Sequence, residues 1–161
     1  TDMLLQFTKY HLHKFYSKST EYTYTPPEGL SDEEAFDKFI LDVVEGSYKR
    51  SKVVYWINYL VICNAPANQE FYHYLKLSLL RKLHRYQTIV HYYTQKGILK
   101  EEKLYQLFHE LCFLGDSIAL TNIFQIPITD KSYFETFTHD RLLSAFLKPE
   151  YYQKLKEEAT D

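Results

Sequence analysis

The sequence predicts an all-α fold, a single-domain bundle of about seven helices, and three observations carry that expectation. Only four Gly and five Pro occur in 161 residues, too few turn formers for an all-β or Rossmann-like chain. Between them, apolar residues recur at i, i+3, i+4 and i+7 in segments of helical length rather than alternating. The composition, 45% hydrophobic and 25% charged, excludes a disordered or collagen-like chain. The length is that of one domain, which needs neither disulfide nor metal to hold a core.

The first segment, Thr1 to Tyr16, places Leu4, Leu5, Phe7, Leu12, Phe15 and Tyr16 at helical spacing. Ser17 to Leu30 is polar, with Pro26-Pro27 and Gly29, and reads as a loop. Ser31 with Glu34 three residues later forms a capping box, and Asp32, Glu33 and Glu34 complement the positive end of the helix dipole. Phe36, Phe39, Ile40, Val43 and Val44 continue that helix, and Gly46 weakens it. A short helix from Ser51 to Asn64 is apolar nearly all round and is expected to be central.

The longest pattern runs from about Asn68 to Lys96, where Gly97 stops it. At 100° per residue Tyr72, Leu75, Leu79, Leu83, Tyr86, Val90 and Tyr93 fall in one stripe under about 90° wide. The next helix extends from Lys100 to about Ile126 and is closed by Pro127; Leu104, Phe108, Leu111, Gly115, Ile118, Ala119 and Asn122 share one face of it. Ser132 to Leu147 and a last helix from Pro149 to Ala159 follow, with Pro149 at a first-turn position where its missing N–H costs nothing.

The net charge is −2, so nonspecific attraction to nucleic acid or membrane is not the default. No apolar run reaches spanning length, the longest being Val53 to Cys63 interrupted by Asn58, and no signal peptide is visible. Cys63 and Cys112 lie in apolar runs and read as free buried thiols, which points to the cytoplasm. Phe71 to Lys100 holds six basic and no acidic residues, while Asp32 to Glu45 holds six acids and one Lys, so the two segments balance each other. His73, His84 and His91 are 11 and 7 residues apart, about 16 and 10 Å by helical rise, too far to share one metal. No metal site and no cofactor is expected.

Two constellations stand out. Tyr55, Trp56 and Tyr59 on the short helix, facing Tyr72, Tyr86 and Val90 on the long one, form a candidate pocket for a small apolar ligand. Gly115, which costs roughly 1 kcal/mol inside a helix, marks close approach of another helix. Its face, Leu104, Phe108, Leu111, Gly115, Ile118, Ala119 and Asn122, followed by Leu142, Leu143 and Phe146, makes a candidate homodimer seam.

The opening T-D-M-L-L-Q-F-T-K-Y resembles the helix that follows the DNA-binding head of TetR-family transcriptional regulators. Tyr92-Tyr-Thr-Gln-Lys-Gly-Ile-Leu-Lys-Glu-Glu is similar to the junction before that family's penultimate helices, and L-C-F-L-G-D-S-I-A-L carries a Gly where the family often has one. The resemblance implies an effector-binding and dimerisation domain, not an enzyme. It implies a homodimer formed through the last long helices, a small-molecule effector, and operator DNA contacted through a helix-turn-helix head. No such head is present here; the chain begins at Thr1, and the head is expected in a preceding segment. Two alternatives stay open. Arg85 and His91 form an Arg-x5-His pair that resembles the motif of all-α HEPN ribonucleases, although Tyr86 follows the Arg where those enzymes usually place a polar residue. A helical adaptor without a ligand is the other.

Overall fold

The computed structural model describes Met3, Gln6, Phe7, Lys9, Tyr10, residues 22–49, Tyr59, Leu60, and residues 62–123 and 131–159. These residues are mostly helical: α1 (Asp32–Lys49), α2 (Gln69–Gln95), a 3-10 turn (Glu101–Lys103), α3 (Leu104–Ile123), α4 (Lys131–Phe146) and α5 (Pro149–Glu158). The described residues of the first segment and of the stretch ending at Asn64 are helical too. Among the described residues the only extended pairing is a single antiparallel bridge, Leu99 with Leu147. The all-α class is therefore observed. The chain divides into two compact units, the first made of Thr1–Tyr22 with Arg50–Arg85, the second of Thr23–Lys49 with Tyr86–Asp161.

In the second unit the local signals act as their chemistry requires. The capping box closes: the Glu34 amide donates to Ser31 Oγ at 3.3 Å and the Ser31 amide donates to Glu34 Oε2 at 2.6 Å. α1 runs on through Gly46 to Lys49, because Ala35, Phe36, Phe39, Ile40 and Val44 are buried along one face. Burying one such Phe or Ile contributes roughly 1.5–3 kcal/mol, more than the ~1 kcal/mol that the glycine costs.

α1 is the hub of this unit and packs against α3, α4 and α5. The C-terminal half of α2 adds Tyr86, Ile89, Val90 and Tyr93; α3 adds Leu107 and Leu111; α4 adds Leu142, Leu143 and Phe146. α2 ends at Gly97, whose φ of +73° continues the chain out of the helix. Ile98, Leu99 and Leu147, all buried, then pair the chain after α2 with the chain after α4. The Lys100 amide donates to the Phe146 carbonyl and the Lys148 amide to the Ile98 carbonyl, both at 2.9 Å. Lys100 Nζ donates to the carbonyls of Ser144 at 2.8 Å and Ala145 at 3.2 Å, capping the negative end of α4.

In the first unit Asn68 caps α2: its side-chain Oδ1 accepts from the amides of Glu70 at 2.9 Å and Phe71 at 3.3 Å. Phe71 and Ala65 are buried, Lys9 pairs with Glu70 at 2.9 Å, and the Arg85 guanidinium stacks 5.4 Å from the Tyr22 ring centroid. The short helix expected from Ser51 to Asn64 lies largely outside the described residues, and at its end Tyr59 and Ile62 are exposed. One expectation is corrected here. Cys63 is exposed, and only Cys112 is the buried thiol expected.

Candidate functional site

Among the described residues an aromatic cluster forms around Tyr93 in the second unit. Tyr93 meets Phe36 edge-on at 5.1 Å, Tyr92 at 5.1 Å and Tyr24 at 5.6 Å between centroids. Tyr24 meets Tyr92 at 5.3 Å, and Phe39 continues the chain of rings to Tyr86 at 6.3 Å. Such edge-to-face pairs set the positive ring edge on the negative face, worth about 0.5–1.5 kcal/mol each beyond their buried area.

A polar thread runs along this cluster. The Tyr24 and Tyr93 hydroxyls are hydrogen-bonded to each other. The Tyr92 hydroxyl donates to Asp32 Oδ1 at 3.4 Å, and Lys96 Nζ lies 3.6 Å from Asp32 Oδ2 and 5.3 Å from the Tyr92 ring centroid. Burial, then the hydrogen bond with Tyr24, pushes the Tyr93 phenol far above its ordinary pKa. The hydroxyl therefore stays protonated at physiological pH and serves as a hydrogen-bonding group, not as a base or nucleophile. The charge of Asp32 raises the Lys96 ammonium.

A second polar set fastens α5. Glu33 is buried and paired with Lys154. Burial acts to raise its carboxyl, but the hydrogen bond and charge of Lys154 outweigh that and hold it below the usual range. Asp140 pairs with Lys156 and accepts from the Tyr152 hydroxyl at 2.9 Å. Lys156 first, with Tyr152, holds its carboxyl low. His139 Nε2 lies 2.6 Å from Asp37 Oδ1, in the geometry of an ion pair rather than an aligned N–H···O bond. The Asp37 carboxylate raises the His139 imidazole against the opposing effect of burial. Among the described residues no group of three His, Cys, Asp or Glu side chains is placed to hold a metal.

The sequence-based site residues fall partly in each unit and partly outside the described residues. Tyr55 and Trp56 lie outside the described residues. Tyr59 and Tyr72, 43% and 57% exposed, belong to the first unit, whereas Tyr86 and Val90 are buried in the second. Of the proposed seam, Leu111, Leu142, Leu143 and Phe146 are packed in the core of their own chain. Leu104 and Phe108 are half-buried; Gly115, Ile118, Ala119 and Asn122 lie within α3, their side chains outside the described residues. Arg85 and His91 are each exposed, one in each unit.

Sequence reasoning missed the open edge of α3. Tyr105 is 84% exposed and Phe113 57% exposed, with the His109 ring tilted against Phe113 at 4.6 Å between ring centroids. Their i, i+4, i+8 spacing was readable, but it lies beside the stronger leucine stripe that the core takes up.

No family model, no curated protein and no solved structure is significantly similar to this chain. What stands from the structure is the class, an all-α protein, in which no helix among the described residues is long and apolar enough to cross a membrane.

Proposed function

We propose that this chain is the effector-responsive, dimer-forming regulatory domain of a TetR-like transcriptional regulator. The observation that carries the reading is the order and bounds of the helices. A long α2 stops at a left-handed glycine, Gly97; a short junction follows; then come α3, with Gly115 inside it, and α4. That order supports the resemblance in the Tyr92-to-Glu102 stretch. In this reading the helices described here serve the effector and the partner subunit, and a helix-turn-helix head contacts operator DNA.

In this reading the dimer seam lies on the exposed edge of α3. Leu111, Leu142, Leu143 and Phe146 have no surface left to offer, so a second copy would cover Tyr105, His109 and Phe113 together with half-buried Phe108. An exposed aromatic of this size buries enough area to act as an anchor of a dimer. Sedimentation at tens of micromolar tests this: a dimer is expected, with Phe113→Asp returning it to monomer. A monomeric wild-type chain removes the dimer from the reading. For the effector, a panel of apolar small molecules titrated against Trp56 fluorescence should yield a saturable change. Indifference to the whole panel, together with a monomer, overturns the proposal.

A further inference from the structure

The apolar stripe of α2 extends beyond the part that the chain covers. Its C-terminal half, Tyr86, Val90 and Tyr93, is buried. Among the described side chains of the N-terminal half Phe71 is buried, and Leu75 and Leu83 are half-buried, whereas Tyr72 is 57%, Leu79 46% and Leu80 50% exposed. At 100° per residue, Tyr72, Lys76, Leu79, Leu80 and Leu83 occupy an arc of about 100°. They extend about 16 Å along the axis. Apart from Leu30, Tyr105 and Phe113, every large apolar side chain left exposed among the described residues belongs to the first unit.

We propose that this edge of α2 is a docking surface for an amphipathic helix of a partner protein, with acidic residues flanking its apolar stripe. The inference is independent of the regulatory reading above. The spacing of Tyr72, Leu79 and Leu80, i, i+7 and i+8, is the row that receives the ridge of a second helix. The acidic flank follows from charge. Lys76 is exposed in the middle of the arc, and no acidic residue lies in α2 after Glu70. An acidic flank gains from Lys76, while a second copy of the same face sets Lys76 against Lys76. The half-sunk leucines favour a helix over a lipid surface, because insertion into lipid needs side chains that stand clear of the protein, whereas a helix ridge fills half-open rows.

The test uses the full chain and a fluorescein-labelled 20-residue peptide with leucines at helical spacing and glutamates on both flanks, read by anisotropy. Saturable binding, on the order of 10 µM, is expected. Leu79→Ser combined with Leu80→Ser should weaken it about tenfold or more. Lys76→Glu should transfer the preference to a peptide with lysines in place of the glutamates. All three positions are exposed, and unchanged far-UV circular dichroism confirms that the variants are folded. The proposal is overturned by any of several results: absence of binding, equal binding of a scrambled peptide, or indifference to both variants. It also fails if the leucines instead mediate attachment to phosphatidylcholine–phosphatidylglycerol vesicles, or a dimer that Leu79→Ser dissolves.

Discussion

Adding one methyl group at two glycines of the second unit should shift stability in opposite directions. Gly46 lies in α1 and Gly97 just beyond α2, and a Cβ built at either position meets no atom within 4 Å. Sterics are therefore equal, and only the backbone differs. Gly46 has helical geometry three residues before the helix ends, so Ala there restricts the unfolded chain without strain and should stabilise by about 0.5–1 kcal/mol. Gly97 sits at φ +73°. There an L-residue meets a left-handed penalty of roughly 1–2 kcal/mol, of which the unfolded-state gain recovers about half. The net expectation for Gly97→Ala is a loss of about 0.5–1 kcal/mol. For a chain of this length each kcal/mol moves Tm by roughly 2–4 °C. Urea titration followed by circular dichroism, with calorimetry alongside, reads both changes. Gly97→Asn, which tolerates the left-handed region better, should lie between wild type and Gly97→Ala. If both alanines shift stability in the same direction, the backbone argument is wrong.

Further expectations concern the polar contacts of α4 and α5. The folded-state pKa of His139 is raised, so its pairing with Asp37 contributes fully below the unfolded value of about 6.5 and is lost as pH rises through the folded value. The groups facing it are Asp37 on α1 and its neighbour Asp140, itself paired with Lys156 and Tyr152. His139→Gln should therefore cost more at pH 5.5 than at pH 8.5, by about 1 kcal/mol or less given partial solvent screening. A cost independent of pH would refute this. α5 has no buried residue and is held through Lys154 to Glu33, Lys156 to Asp140 and Tyr152 to Asp140. Raising salt to about 1 M, where the screening length falls to roughly 3 Å, should speed hydrogen exchange of α5 amides more than that of α4 amides. Exchange of the two helices in step at both salts would show that packing, not charge, fixes α5.

Much of the local architecture was legible because its causes are local. Ser31 and Glu34 are three residues apart and need only one helical turn to find each other. Pro149 starts α5 since its ring already has the helical φ. The bridge between Leu99 and Leu147 was not legible, because two short apolar stretches carry no sign of which distant partner they pair with. Which part of the α2 stripe is covered was not legible either, Tyr86 being buried and Tyr72 exposed. Periodicity places Tyr72 and Tyr86 on one stripe, but it does not say how far along the helix the covering side chains reach.

Charge partnerships show the same division. Glu33 reads as a helix-dipole residue, which it is, yet its burial against Lys154 depends on the return of the chain 121 residues later. The all-α class, the bounds of α2, α4 and α5 to within about a residue, and the Ser31–Glu34 cap were readable in advance, since these follow from interactions within one or two turns. Which apolar faces become core and which stay open depends on packing between elements far apart in the chain. Leu107 and Leu111 of α3 and Leu142 and Leu143 of α4 go inside, while Tyr105 and Phe113 on α3 and Tyr72, Leu79 and Leu80 on α2 face solvent. An apolar side chain gains the same free energy against any apolar neighbour, so its pattern states that it will be covered and leaves open by what.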